Sequence, residues 1–315
     1  MSSFHSESPL VSIVIVTYNS AKFVLDTLES AKSQTYQKIE LIICDDCSVD
    51  NTVEVCRKWI SENKDRFVRT EVITVTKNTG VTSNLNRGLK AADGEWLKFI
   101  AGDDALLSEC IAANLTFISA NPGAQIVCSK KLIYQNYFKE ECFFQESKID
   151  HFVFNMPDIT ASKQFELLLR RNYVVAPSVF MQKSLLEKMN GFDERIPMVE
   201  DWPMWIKITS AGYKIYYLNK ATVKYRLHNE SVSLPQNKRK LFTAYDQKLE
   251  DIYIYYIYPN LPHIERLLYT YDFKRMKAFN ALGLNKNTKA MKLLDKLTGV
   301  PIKAYRNIKL KSYSW

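Results

Sequence analysis

The chain has 315 residues, 46% hydrophobic and 24% charged, enough to build a full core as one large domain or a domain with an appendage. It holds no run of apolar residues long enough for a transmembrane helix, and its first eight residues are polar, without a signal-peptide apolar stretch, so a cytoplasmic location is expected. Net charge is +9 but uneven: Pro235 to Trp315 carries 16 Lys/Arg against 6 Asp/Glu, which leaves the preceding 234 residues close to neutral and points the tail at an anionic surface or partner.

In chain order, Val11 to Tyr18 is a β-rich apolar run ending at Asn19-Ser20, which can cap a helix carrying Phe23, Val24, Leu25, Leu28 and Ala31. Ile39 to Cys44 is a second strand that ends in Asp45-Asp46, and Asp50 opens a helix with Val53, Val55, Cys56, Trp59 and Ile60. Val68 to Thr76 is a third strand, followed by a helix around Ser83 to Ala92. Trp96 to Ile100 is a fourth; it runs into Gly102-Asp103-Asp104, and a helix through Ile111, Leu115 and Ile118 follows. Ala124 to Tyr134 reads as a fifth. Strands alternating with helices predict an α/β fold with a doubly wound, mainly parallel sheet and helices on both faces.

Beyond that, Tyr137 to Phe154 reads as loop-rich, Ser162 to Arg170 as helix, and Val174 to Met181 as extended with Pro177 inside it. Gly191-Phe192-Asp193 leads to Val199-Glu200-Asp201-Trp202, and Lys214 to Arg226 alternates like a strand. After Pro235 the pattern is helical, amphipathic, aromatic and basic. The expected division is a domain over 1–234, with halves of about 9–134 and 135–234, and a helical C-terminal region over 235–315.

Ligands of such sheets bind beyond the carboxyl ends of the strands. Three of those ends carry Thr17-Tyr18-Asn19, Asp45-Asp46 and Asp103-Asp104. Carboxylates there must face solvent or a cation, because burying them uncompensated is costly. Paired acids at a strand end can hold a divalent metal and with it the phosphates of a nucleotide; capping of the next helix is the plainer alternative. A dinucleotide-binding fold is excluded, since its first strand opens into G-x-G-x-x-G and this one opens into Thr17-Tyr18-Asn19-Ser20-Ala21-Lys22. Cys44-Asp45-Asp46-Cys47 is formally C-x-x-C, but carboxylates between the thiols oppose the lowered pKa that redox chemistry needs, and no second Cys/His pair offers a zinc site.

Taken in order, the fragments Val11–Asn19, Glu40–Ser48, Asn78-Thr79-Gly80, Asn86-Arg87-Gly88, Gly94-Glu95, Gly102-Asp103-Asp104, Gly191–Glu194, Glu200-Asp201-Trp202 and Tyr225–Ser233 resemble the family 2 glycosyltransferases, which have the nucleotide-sugar fold called GT-A. The resemblance covers about residues 9–234. It implies a UDP-sugar donor, with Thr17 and Tyr18 on the uracil and ribose, Asp46 accepting from the pyrimidine N–H, Asn78 beside the nucleotide, and Asp103 on the ribose or sugar. Asp104, with Asp103 in support, would hold Mn2+ or Mg2+ on the diphosphate, and His228 would contact the metal or a phosphate. Inverting transfer needs a carboxylate on the acceptor side as base; Asp201 is the candidate and Glu200 its rival, while Trp202 would either pack in the core or stack an acceptor sugar.

Two departures stand out. Ala101 replaces a frequent aspartate, and Leu85 stands where the family often has an arginine, so diphosphate charge would fall to the metal, Lys77 or Arg226. The Gln-x-x-Arg-Trp segment of processive synthases is absent, which implies transfer of a single sugar. The acceptor would be a saccharide or lipid-linked saccharide, as in bacterial surface-polysaccharide or glycolipid assembly. The tail, with Asp251 to Tyr258 at its aromatic centre, suits either an anionic membrane at the cytoplasmic face or packing on the domain or a second subunit as a homodimer; nucleic acid is not expected. A sugar-1-phosphate nucleotidyltransferase and a non-catalytic nucleotide-sugar-binding partner remain the alternatives.

Overall fold

The first apolar run forms β1 (Val11–Thr17), in which every residue is buried. Its position explains the lack of alternation. In the computed structural model, which describes residues 8–146, 154, 156, 158–228, 240–242, 244–302 and 304–305, β1 is flanked in parallel by β2 (Ile39–Asp45) and β4 (Trp96–Ala101), with β3 (Arg69–Thr74) beyond β2. Strands covered on both faces read as continuous apolar runs. The helices α1 (Val24–Lys32), α2 (Thr52–Asn63), α3 (Val81–Ala91) and α4 (Cys110–Ala120) connect these strands and the next. One core joins Ile13, Ile15, Leu28, Leu41, Ile43, Trp59, Trp96 and Phe180.

The sheet continues with β5 (Ala105–Leu106), β6 (Ile126–Gln135), β7 (Phe143–Glu146), β8 (Phe180–Gln182) and β9 (Tyr216–Leu227), in the order β3-β2-β1-β4-β8-β6-β9-β5, with β7 on the other side of β6. It is parallel through β3-β2-β1-β4 and in the long β6–β9 pair, and antiparallel where β8 is inserted. The fold is therefore mixed α/β with a mostly parallel sheet.

Two details differ from the sequence reading. The extended stretch expected over Val174 to Met181 is a single helical turn, Ala176–Ser178, and only then β8. Pro177 has no N–H for a ladder and a fixed φ that suits a turn. Lys98, inside β4 and fully buried, holds that turn with Nζ donating to Pro177 O (2.5 Å) and Val179 O (3.2 Å); burial pushes its pKa down. Within the stretch read as loop, Phe143–Glu146 is a strand; 147–153 and 155 lie outside the described residues. Downstream come α5 (Ala161–Leu168), capped by Thr160 Oγ1 accepting from Lys163 N–H, α6 (Lys183–Lys188) and α7 (Asp201–Ser210).

Two compact units divide the chain, residues 1–227 and 228–315. The second contains α8 (Ala244–Ile252), α9 (His263–Ala281) and α10 (Lys289–Thr298). Its aromatic run is partly core: Tyr253 is buried against Tyr269 and Phe273, with ring centroids 4.8 and 5.1 Å apart, whereas Ile254 and Tyr255 are exposed. Among the described residues no helix is long and apolar enough to cross a membrane.

A buried glutamate ties the α3–β4 connection to the sheet. Glu40 Oε1 accepts from Ser12 Oγ (2.5 Å) and from the N–H groups of Asp93 (2.6 Å) and Gly94 (3.0 Å), and Oε2 pairs with Arg69 (3.1 Å). A Cβ on Gly94 would lie 2.6 Å from Ser12 N and 3.0 Å from Val11 C, which are backbone atoms that cannot yield. Gly94→Ala is expected to cost about 1–3 kcal/mol of stability, read as a lower urea midpoint.

Candidate functional site

Parallel strands bring three carboxyl ends into register. Thr17 lies opposite Asp45, and Val16 lies opposite Ala101. Thr17 Oγ1 donates to Asp45 Oδ2 (2.8 Å), and Ser48 donates through N–H to Oδ1 (2.8 Å) and through Oγ to Oδ2 (2.5 Å). Asp45 thus shapes the turn, and Thr17, buried with its hydroxyl engaged, supports the edge from below. Tyr18, 51% exposed, is the side chain of this pair that meets solvent. Burial pushes the Cys44 thiol up to about 12, so Cys44 stays a thiol at neutral pH, which opposes redox chemistry at the Cys-x-x-Cys.

Asp46 is buried and heavily engaged. Oδ2 accepts from the N–H groups of Thr79 (2.9 Å) and Gly80 (2.7 Å), and Oδ1 from Thr79 Oγ1 (2.7 Å) and Arg87 Nη2 (2.6 Å). It organises the turn that presents exposed Asn78, whose Oδ1 accepts from Gly80 N–H (3.1 Å). Arg87 enters the sequence reading only within the fragment Asn86-Arg87-Gly88, with no role of its own, while Leu85 marks a missing arginine. Two positions later along α3, its guanidinium reaches Asp46, Thr79 Oγ1 (2.9 Å) and Asn84 Oδ1 (2.8 Å). The i,i+3 spacing of Asn84 and Arg87 on a helix was the available signal.

The acids after β4 sit in a tight turn, with Gly102 N–H donating to Val16 O (2.9 Å) and Asp104 N–H to Ala101 O (3.2 Å). Asp104 is buried, and Oδ1 accepts from Arg226 N–H (2.9 Å). Asp103 is partly exposed. Burial first, then the neighbouring Asp103 charge, raises the Asp104 pKa well above the carboxylate range, against the pull of Arg226 and Lys131. Arg226 does not serve a leaving group: Nε donates to Asp103 O (2.7 Å), Nη1 to Asn136 O (2.6 Å) and Nη2 to Asp26 (2.7 Å), and the guanidinium lies 3.8 Å from the Phe138 ring centre. It is a buried clamp on both acids.

A metal fits here in one particular way. Among the described residues no group of three His, Cys, Asp or Glu side chains could hold an ion. Two adjacent carboxylates, one of them buried and short of positive charge, do match Mg2+ or Mn2+ bound through one or two carboxylates and completed by substrate phosphates. His228 is partly buried and follows β9 directly; the rest of its motif, 229–233, lies outside the described residues.

The third set of residues is attached to the carboxyl edge through α3. Thr82 Oγ1 donates to Ile196 O (2.7 Å), Ser83 Oγ to Glu194 (2.8 Å), and Asn86 Nδ2 to Phe192 O (2.9 Å) and Glu194 (2.8 Å). Gly80 has φ +89°, and a Cβ there would be 3.3 Å from Pro197 O. Four residues after Pro197, Asp201 opens α7, where the helix N-terminus favours its negative charge. Its Oδ1 accepts from Trp202 N–H (2.7 Å) and its Oδ2 from Asn172 Nδ2 (2.8 Å), while Asn172 Oδ1 accepts from Val174 N–H (3.2 Å). Burial raises the pKa of Asp201, and the donors from Asn172 and Trp202 draw it back down. Burial and the Asp201 charge push Glu200 up to about 8. Trp202 is buried, with Nε1 donating to Leu168 O (2.7 Å), so it packs α7 on α5 and is no platform for an acceptor sugar.

Residues 12–187 match the model described as Glycosyl transferase family 2. The chain is 29% identical over 228 residues to the UDP-Glc:alpha-D-GlcNAc-diphosphoundecaprenol beta-1,3-glucosyltransferase WfaP of Escherichia coli, covering 71% of this chain and 80% of that one. It is 24% identical over 225 residues to the putative teichuronic acid biosynthesis glycosyltransferase TuaG of Bacillus subtilis, covering 71% and 82%. Among solved structures, S. aureus TarS 1-349 in complex with UDP-GlcNAc is similar in fold, with a TM-score of 0.58 at 18% identity, over 84% of this chain and 71% of that chain.

Because Asp46 holds the Thr79 and Gly80 amides, Asp46→Asn is expected to speed hydrogen exchange at those two amides by about tenfold or more. Two-dimensional NMR exchange, with the β1 amides unchanged as reference, checks this.

Proposed function

The chain belongs to glycosyl transferase family 2 and is a glycosyltransferase; on that premise we propose that it transfers one sugar, with inversion, from a UDP-sugar to the hydroxyl of a saccharide or lipid-linked saccharide in bacterial surface-polysaccharide or glycolipid assembly. The observation that carries the reading is the carboxyl edge itself, where buried Asp104 and its neighbour Asp103 lie on the same edge of the parallel strands as the turn that Asp46 builds. The name of WfaP states a UDP-Glc donor and a diphosphoundecaprenol acceptor, and TarS was solved with UDP-GlcNAc; both support a UDP-sugar here, and the first supports a lipid-linked acceptor.

In this reading exposed Tyr18 and Asn78 flank the nucleotide. Asp46 serves the uracil through the turn it organises, its own carboxylate being occupied by Thr79, Gly80 and Arg87, and Thr17 acts from beneath. Asp104 and Asp103 would hold the divalent cation. When bound, that cation neutralises charge developing on the departing diphosphate, so no protein acid is needed there.

The base is Asp201. Burial and the Asp201 charge push Glu200 up to about 8 with no side-chain donor to oppose them, whereas Asn172 donates to Asp201, so we assign the negative charge of the pair to Asp201. An ionised carboxylate whose oxygens are already oriented takes the acceptor hydroxyl proton as the oxygen attacks the anomeric carbon from the side opposite the diphosphate. The Asn172 bridge fixes that orientation: with Oδ1 held by Val174 N–H, its amide must present N–H to Asp201.

Asp104→Asn is expected to lower donor turnover at least about a hundredfold, and EDTA should abolish turnover in the wild type until Mn2+ is restored. Turnover surviving both would remove the metal from the reading. Asp201→Asn should keep UDP binding by calorimetry while losing about 10²–10⁴ in kcat. Asn172→Ala withdraws a donor that lowers the Asp201 pKa, so the rising limb of the kcat pH profile should move to higher pH. An unmoved limb would assign the base elsewhere.

A further inference from the structure

We propose that α10 docks the enzyme on an anionic lipid surface. The proposal takes its purpose from the lipid-linked acceptor above and its chemistry from the helix alone. Helix α10 has no fully buried residue. One side is anchored within its own unit: Tyr271 Oη donates to Thr298 O (2.8 Å), and Arg275 pairs with Asp295 (2.5 Å), which neutralises the one acid of the helix. The other side carries Leu293 and Leu297, one turn apart and 57% and 61% exposed. Lys289 lies four positions before Leu293 and Lys296 three after it, and with Lys292 these exposed lysines line one flank of the leucines, so a cationic row borders an apolar stripe.

That composition is what an interfacial helix needs. Leucines enter the headgroup boundary while lysines lay their stems along it and keep their charges at the phosphates. Charge selects this occupant over the others. A second copy docking on the same stripe would set lysine rows against lysine rows, and the whole segment from Pro235 carries 16 Lys/Arg against 6 Asp/Glu. Nucleic acid would satisfy the lysines but leave the leucines in water. Anionic lipid satisfies both.

The test is co-sedimentation of the full chain with vesicles of phosphatidylcholine alone and of phosphatidylcholine mixed with phosphatidylglycerol. Binding is expected only to the anionic vesicles, weakening with salt. Each of Lys289→Gln, Lys292→Gln and Lys296→Gln should cost about fivefold in affinity, and Leu293→Ser with Leu297→Ser should weaken binding further while circular dichroism keeps the wild-type melting midpoint. Equal binding to neutral vesicles, or wild-type binding by the leucine pair variant, overturns the proposal; so does sedimentation showing that this variant turns a dimer into a monomer. Donor turnover without vesicles is read in parallel: its absence in the wild type would count against the transfer reading and leave the vesicle result standing.

Discussion

Negative charge buried at the carboxyl edge of a parallel sheet is the constraint around which this enzyme is arranged. Asp45, Asp46 and Asp104 are all nearly inaccessible, and each is met by a different device. Hydroxyls and an amide serve Asp45, a guanidinium and two turn amides serve Asp46, and one strand amide serves Asp104. The first two are saturated and act as structure. Asp104 is left with more charge than its surroundings repay, and this asymmetry singles out its corner for chemistry. Arg226 could have cancelled that charge but spends its guanidinium on two carbonyls and Asp26.

The strand ends were legible because a run buried on both faces is mostly apolar, so a cluster of successive polar residues announces the edge even though single ones such as Glu40 and Lys98 are buried within it. The glycine-free first turn was equally legible as a statement about how phosphate could not be bound. What each polar residue does at the edge was not. Thr17 and Tyr18 are adjacent, yet one points into the turn and the other into solvent, a pleat effect that motif matching passes over. Arg87 was hidden because its partner is forty-one residues away in sequence. Trp202 beside Asp201 looked like an aromatic platform, and only the packing of α7 on α5 shows its ring inside the protein. Pro177 signalled a break in the strand, but the insertion of β8 between β4 and β6 follows from a long-range contact with Lys98.

The two carboxylates before α7 show how environment divides labour between like groups. Both are desolvated, and burial raises the pKa of both. A side-chain donor, Asn172, reaches only Asp201, so the hydrogen bonding of the two carboxylates differs although their burial is shared. Asn172 matters in this balance although it has nothing to exchange with a substrate.

Helix α3 grips the Asp46 turn at its start and the 192–197 segment along its length. The turn that Asp46 builds and the segment that leads to Asp201 are therefore two ends of one lever, and a displacement at either end is carried to the other through a single helix.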